Sequence, residues 1–188
     1  TREETIRRIV REGHALGNHS YNHKYQELYH RFRDFYEQVD RTSGILERIT
    51  GEREALLRAP GGTAENFDAF YYFYLTIAGY KLHDWNVDSG DSRRKGVPAS
   101  EIVANVKKAP LKHEMNVLLH DGAGHEETVK ALPEIIEYFL ERGYRFAALS
   151  EEVKPVVFQT KKSKWTRRTD EKEHARLLAL VHPELAAA

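Results

Sequence analysis

The 188-residue sequence contains no cysteine. Disulfides, thiolate metal sites and a cysteine nucleophile are therefore excluded, and any metal chemistry must use His, Asp or Glu side chains. The absence of cysteine suits both an exported protein and a cytosolic one, so it does not fix the compartment.

Long apolar runs and an excess of one charge are also absent. No stretch is long enough to span a bilayer, and no signal peptide is visible. Lys+Arg and Asp+Glu number 29 each, which gives a formal net charge of zero. No global basic field therefore predicts nucleic-acid binding. The length suffices for one sizeable core, as expected of a globular domain.

Apolar residues at helical spacing alternate with short apolar runs along the chain. The pattern predicts helices near 5–11, 32–49, 63–77, 100–107 and 126–141, and short strands at 55–57, 80–87, 116–119 and 146–149. This alternation is typical of parallel α/β architecture, in which chemistry is placed where strands end. Residues 154–188 differ, because they are basic at first and then helical or flexible, and we expect them to form a C-terminal extension.

Two histidines, His19 and His23, stand four residues apart in the segment His-Ser-Tyr-Asn-His. On one helical turn or in a tight loop, both imidazoles can reach one ion at about 2.0–2.1 Å. Imidazole suits zinc, and also cobalt or nickel. The spacing alone is weak support in a chain with 10 histidines, and two surface or capping histidines are the alternative.

An arginine motif, Arg58-Ala-Pro-Gly-Gly, follows the predicted strand at 55–57. A guanidinium can grip a carboxylate with two hydrogen bonds, and a Pro-Gly turn exposes backbone N–H groups that can stabilise an oxyanion. An ordinary turn with a surface arginine is the alternative.

An acidic segment from Asp84 to Asp91 and a strand-end histidine, His120, complete the set of motifs. Histidine is suited to general acid catalysis, since its charge changes near neutral pH. A solvated loop and a merely hydrogen-bonded histidine are the alternatives.

In this order, the motifs resemble those of the polysaccharide deacetylases, the NodB homology domains of carbohydrate esterase family 4. The segment 13–23 carries the most specific part of the resemblance, which covers roughly residues 5–153. The resemblance implies a distorted (β/α) barrel with its catalytic domain at 1–153. The family's Thr-Phe-Asp-Asp-Gly segment has no counterpart here, so we expect a barrel incomplete at its N-terminus, with a missing segment of the same protein as a partner.

The resemblance also implies roles for the catalytic machinery. His19 and His23 would bind Zn²⁺, or Co²⁺ or another divalent metal. Arg58 would orient the catalytic base, and His120 would be the general acid. The base itself and a third metal ligand belong to the segment that has no counterpart.

The remaining roles concern the surroundings of these groups. By resemblance, Asp88 is the first choice and Asp91 the second for the aspartate that hydrogen-bonds the catalytic histidine. The Gly61 N–H would stabilise the oxyanion, while Leu118 and Trp85 would contact substrate. Asp88, Asp91 and Asp121 are the conceivable replacements for the absent carboxylates.

The implied reaction is hydrolytic removal of acetyl groups from N-acetylhexosamine polymers, peptidoglycan or chitin-like, by metal-activated water. The implied location is extracellular or cell-wall associated. Two alternatives stay open: a non-catalytic carbohydrate-binding or structural remnant of the family, and an O-acetyl esterase acting on xylan.

Overall fold

A computed structural model describes residues 2–165 and 169–186 of the protein. Its helices are α1 (Arg2–Arg11), α2 (Tyr25–Leu28), α3 (Phe32–Thr50), α4 (Ala69–Ile77), α5 (Ala99–Lys108), α6 (Glu126–Leu140) and α7 (Glu171–Val181), followed by a 3₁₀ turn at Pro183–Ala186. Its strands are β1 (Leu56–Leu57), β2 (Lys81–Leu82), β3 (Val87–Asp88) and β4 (Val117–Leu118). Among these described helices, none has both the length and the apolar character that a membrane crossing requires.

Two compact units make up the chain, the first formed by residues 1–84 and 148–188 and the second by residues 85–147. In the first unit, β1 and β2 pair in parallel, with Leu57 opposite Leu82. Asn18 forms a parallel bridge with Leu57 on the other side of β1. Three parallel segments therefore run side by side, and their carboxyl ends lead into the histidine segment, the arginine motif and the acidic segment.

The core of the first unit is aromatic. Helix α3 contributes one apolar face to it, including Phe35 and Val39, and ends at Gly51, whose φ of 87° is the left-handed geometry that favours glycine. Helix α7 packs on α4 and buries Leu177 and Val181 in the same core. Residues beyond 153 thus help to build this unit, while the expected domain boundary at 153 stays a prediction.

In the second unit, β3 and β4 pair in parallel, with Val87 opposite Val117. Helices α5 and α6 pack against each other and supply most of the apolar core, including Ile102 and Ile135. The predicted alternation of strands and helices is confirmed in this unit, because the pair β3 and β4 is joined by a segment containing α5.

Three element predictions were wrong. The single strand predicted at 80–87 is two short strands, β2 and β3, which pair in different sheets. Helix α4 begins at Ala69 and not near Thr63, because the Asp68 carboxylate caps it by accepting the N–H groups of Phe70 and Tyr71. Residues 146–149 form no strand in the described structure, since no described segment pairs with them. Phe146 is instead 58% exposed.

Candidate functional site

The histidine segment is anchored by Asn18, whose side chain is buried in the first unit. Its Nδ2 donates to the backbone oxygen of Val39 at 2.8 Å and to Ser43 Oγ at 2.9 Å. Its Oδ1 accepts the N–H of Ser20 at 3.0 Å. Asn18 therefore fixes the start of the loop that carries both predicted ligands, a role that the motif contained but that sequence analysis did not assign.

The loop between the two histidines has unusual backbone geometry. Ser20 and His23 have φ values of 69° and 58°, in the left-handed region that costs non-glycine residues about 1–2 kcal/mol each. The His23 N–H donates to Ser20 Oγ, and the N–H of Asn22 donates to Gln38 Oε1, each at 3.2 Å. Strain that is held in place by such bonds is characteristic of functional loops.

The two imidazoles lie close together, with ring centroids 5.0 Å apart. His19 Nδ1 lies 2.7 Å from the backbone oxygen of Arg58. Because a carbonyl oxygen only accepts, Nδ1 must carry the proton, and Nε2 is then the nitrogen with a lone pair. This is the arrangement that a metal-binding histidine normally has.

His19 and His23 provide fewer ligands than a catalytic zinc site normally has. A catalytic zinc normally has three protein ligands. Within residues 2–165 and 169–186, however, no three His, Cys, Asp or Glu side chains are grouped closely enough to hold an ion. His19 and His23 can thus supply two ligands.

Arg58 is half-buried at the end of β1. Its Nε donates to the backbone oxygen of His83 at 3.1 Å, and its Nη2 donates to that of Asp84 at 3.3 Å. Burial lowers the pKa of Arg58, and the negative charge of Asp84 partly opposes this effect. The guanidinium is thereby held in a fixed plane, and its expected role in orienting a catalytic base stays a prediction.

Asp84, the first residue of the acidic segment, is a buried carboxylate to which sequence analysis assigned no role. Its Oδ1 accepts the N–H of Thr63 at 3.0 Å, and its Oδ2 accepts the hydroxyl of Thr63 at 2.5 Å and the N–H of Phe158 at 2.8 Å. A carboxylate inside a predicted apolar strand was the available signal, because buried charges need several partners. Through these hydrogen bonds, Asp84 connects the turn that follows Arg58 with the chain at Phe158.

The turn after Arg58 is held at both ends. The hydroxyl of Tyr29 donates to the backbone oxygen of Pro60 at 2.6 Å, and Asn66 Nδ2 donates to that of Gly62 at 2.9 Å. Between them Gly61 has φ 71°, and a Cβ there would lie 2.6 Å from the hydroxyl of Tyr25. Only glycine fits this position without displacing Tyr25.

In the second unit, the partner of His120 is Asp91. Its Oδ1 lies 2.8 Å from His120 Nδ1, and its Oδ2 accepts the His120 N–H at 2.7 Å and the hydroxyl of Thr128 at 2.9 Å. Burial raises the pKa of Asp91, but the hydrogen bonds from His120 and Thr128 outweigh it, so this pKa lies below its usual value.

Asp88, the residue that sequence analysis preferred as the partner of His120, makes a different hydrogen bond. Its Oδ1 accepts the N–H of Gly90 at 2.8 Å, and its side chain is exposed. An aspartate that bonds two residues ahead stabilises a turn, and the turn delivers the buried Asp91 to His120. The preference for Asp88 was therefore wrong as to which carboxylate bonds the histidine.

Three other side chains complete the description of the second unit. The ring of His125, which was not predicted as a site residue, stacks on that of His120 with centroids 5.4 Å apart. Leu118 in β4 and Trp85 are both half-buried. Their expected contacts with substrate stay predictions, as do the roles of the other site residues.

Comparison with known proteins supports one family. Residues 1–72 match the family described as polysaccharide deacetylase. A peptidoglycan-N-acetylglucosamine deacetylase of Bacillus cereus is 30% identical over 153 residues, which are 79% of this chain and 55% of that protein. The chain thus spans about half the length of that curated relative.

Solved structures agree with this result. The crystal structure of a polysaccharide deacetylase from Bacillus cereus superposes with a TM-score of 0.76 and 30% identity, covering 82% of this chain and 76% of that one. A family 4 pseudoenzyme from Bacillus anthracis has a TM-score of 0.67 at 21% identity, covering 78% of this chain and 49% of that one, which shows the fold alone. The expected fold class is confirmed.

Proposed function

Because the chain belongs to the polysaccharide deacetylase family, we propose that it removes acetyl groups from N-acetylhexosamine polymers of the peptidoglycan or chitin type, outside the cell or at the cell wall. The observation that carries this proposal is the pair His19 and His23, in which the carbonyl of Arg58 fixes the tautomer of His19.

The two histidines would hold a divalent metal, and zinc suits their nitrogen donors. When bound, such a metal supplies a Lewis acid for the acetamide carbonyl and the attacking water. The base that takes the proton from this water is unassigned among the described residues. The fixed guanidinium of Arg58 would orient the carboxylate of this base.

The protein's own groups act on the carbonyl and on the leaving nitrogen. As water adds to the carbonyl carbon, the N–H of Gly61 donates to the oxygen that gains negative charge. The C–N bond then breaks, and protonated His120 gives its Nε2 proton to the departing amine. The Asp91 carboxylate accepts the Nδ1–H, which orients the ring so that Nε2 faces the reaction. Acetate and a free amino sugar are the products.

Metal binding by the histidine pair is the first test. We expect Zn²⁺ binding, measured by calorimetry, to be lost in His19→Ala and in His23→Ala. The matched control is His14→Ala, because His14 is an exposed histidine in the same segment. Equal binding by all three variants would contradict the assignment of the pair.

Acetate release from N-acetylglucosamine oligomers, with Zn²⁺ supplied and with chelator as control, is the second test. Release by this chain would direct mutagenesis to Asp88 and Asp121 as the base, since Asp91 is engaged with His120 and Thr128. Release only after an Asp-Asp segment is added would place the base outside these residues. Acetylated xylan in the same assay separates N-deacetylation from ester hydrolysis.

A non-catalytic carbohydrate-binding role is the second candidate. The observation behind it is that no three His, Cys, Asp or Glu side chains of the described residues are grouped closely enough to hold an ion. Binding of oligomers without acetate release, with or without the added segment, would support it.

A further inference from the structure

Residues 59–62, called the glycine turn below, carry an N–H group that no described residue accepts. The Gly62 N–H donates to the backbone oxygen of Ala59 at 2.8 Å and closes the turn. The N–H of Gly61 has no such partner in the described part of the chain, and Gly61 is exposed. This N–H is therefore available to a ligand, and its direction depends on the side chains that hold the turn.

Two buried side chains hold the glycine turn, and both contact Trp165. Tyr29 donates its hydroxyl to the backbone oxygen of Pro60 at 2.6 Å, and Asn66 Nδ2 donates to that of Gly62 at 2.9 Å. Trp165 Nε1 donates to Asn66 Oδ1 at 3.3 Å. The indole also lies against the ring of Tyr29, with centroids 5.9 Å apart. One residue thus supports both of the side chains that hold the turn.

The hydrogen bond from Trp165 fixes the orientation of the Asn66 amide. An indole N–H can only donate, so it must face the amide oxygen, and Nδ2 is then directed to Gly62. If the amide turned over, its oxygen would face the backbone oxygen of Gly62, and two acceptors form no hydrogen bond. Trp165 therefore secures the bond between Asn66 and the turn.

Trp165 is itself held next to the segment that follows the glycine turn. The N–H of Lys161 donates to the backbone oxygen of Ala64 at 2.7 Å, and that of Lys164 donates to Glu65 at 2.9 Å. The indole is half-buried and packs against the aromatic core of the first unit. Its position is therefore set by the main chain as well as by its own ring.

We propose that Trp165 is a positioning residue for the Gly61 N–H in the proposed reaction, and that it acts through Asn66 and Tyr29. The proposal rests on the proposed function, because it takes this N–H as the donor to the oxygen that gains negative charge. A donor that is fixed before the reaction stabilises this charge without reorganisation. The C-terminal extension, which the family resemblance does not include, thus contributes a residue to the reacting centre.

The test is amide hydrogen exchange of the metal-free chain, followed by NMR. Trp165→Phe keeps an aromatic ring beside Tyr29 and removes the N–H donor. We expect the Gly62 amide proton to exchange roughly tenfold faster, the size expected for the loss of one hydrogen bond. The Gly61 amide resonance should shift in the same variant.

Leu177→Val is the matched control, because Leu177 is also buried in the core by the C-terminal extension but lies on α7. It should leave the Gly62 exchange rate within about twofold of the wild-type rate. Asn66→Ala tests the route, since Trp165→Phe should change the rate by less than about twofold once Asn66 is absent. Equal effects of Trp165→Phe with and without Asn66, or equal effects of Trp165→Phe and Leu177→Val, would overturn the proposal.

Acetate release tests the consequence for the reaction. We expect kcat of Trp165→Phe to fall roughly tenfold with KM nearly unchanged, because the charged oxygen exists only in the transition state. An unchanged kcat, with or without a raised KM, would overturn the positioning role. Absence of acetate release by the wild type would contradict the proposed function alone, and the exchange rates would still decide whether Trp165 holds the turn.

Discussion

The carboxylate of Asp91 holds His120 at two points, with Oδ1 2.8 Å from the imidazole Nδ1 and Oδ2 2.7 Å from the backbone N–H. The side chain and main chain of the histidine are thus fixed by one buried group. Because the carboxylate can only accept, Nδ1 carries a proton and Nε2 is the nitrogen left for chemistry. The tautomer of His120 therefore follows from Asp91.

Replacing the carboxylate of Asp91 should lower the stability of the protein. In Asp91→Asn one acceptor oxygen becomes a donor, so a hydrogen bond from His120 or Thr128 is lost inside the second unit. We expect the free energy of unfolding in urea to fall by about 2–3 kcal/mol. The control Asp88→Asn keeps an acceptor for the turn and should change it by less than about 0.5 kcal/mol. Equal effects of the two substitutions would contradict this assignment.

The contribution of Asp91 should also depend on pH. Its folded-state pKa is lowered below the unfolded value, so its stabilisation is fully present above about pH 3.9 and is lost as the pH falls further. The difference in unfolding free energy between the wild type and Asp91→Asn should therefore shrink as the pH falls below about 3.9. A difference that stays constant over this range would show that the charge is not the stabilising feature.

The sequence predicted the elements better than the contacts between distant residues. The spacing of apolar residues and the glycine at 51 were sufficient for α3, because both act locally. The choice between Asp88 and Asp91 depended on a turn that reverses the chain direction, and no local pattern distinguishes the two carboxylates. In the structure, the hydrogen bond between Asp91 and His120, which are 29 positions apart, identifies Asp91 as the partner.

The same dependence on contacts between distant residues explains two further failures of the sequence analysis. It did not assign a role to Asp84, and it predicted a strand at 146–149 that the structure does not have. Asp84 binds Phe158, which is 74 positions away, so its partner lies beyond any sequence window. A strand needs a hydrogen-bonded neighbour as well as apolar residues, and propensity alone does not supply one.

His83 should make the first unit sensitive to mild acid. The residue is 3% exposed, and neither ring nitrogen has a hydrogen-bond partner among the described residues. Burial, and then the charge of Arg58, lower its pKa, so the unfolded chain binds more protons below about pH 6.5. We expect stability to fall as the pH drops below this value and to level off below the folded-state pKa.

The substitution His83→Phe tests this expectation, because it keeps a ring of similar size and removes the titration. Urea unfolding between pH 7.5 and pH 5 should show a flatter dependence in this variant than in the wild type. His30→Phe, which changes an exposed histidine of the same unit, should leave the dependence unchanged. If the unfolding free energy of His83→Phe depends on pH as steeply as that of the wild type, other groups cause the acid sensitivity.

A side chain at position 61 should destabilise the protein, because Tyr25 must move to make room for it. In Gly61→Ala, a left-handed backbone costs about 1 kcal/mol, and the new Cβ also meets the Tyr25 hydroxyl. Gly79→Ala shares the strain, with φ 84°, but has open space around its Cβ. We expect Gly61→Ala to lower the free energy of unfolding more than Gly79→Ala does. If Tyr25→Ala does not remove the excess in the double variant, the clash is not its cause.

Asp84 should hold the arginine motif and the chain near Phe158 together. In Asp84→Asn, the amide can no longer accept every hydrogen bond from Thr63 and Phe158, and we expect a loss of about 3 kcal/mol in unfolding free energy. Hydrogen exchange should report the site of this loss, because the amide protons of Thr63 and Phe158 should exchange faster than in the wild type. Asp68→Asn is the control, since asparagine caps a helix as well as aspartate does. Unchanged protection of both amides in Asp84→Asn would show that the buried carboxylate is not what joins these two segments.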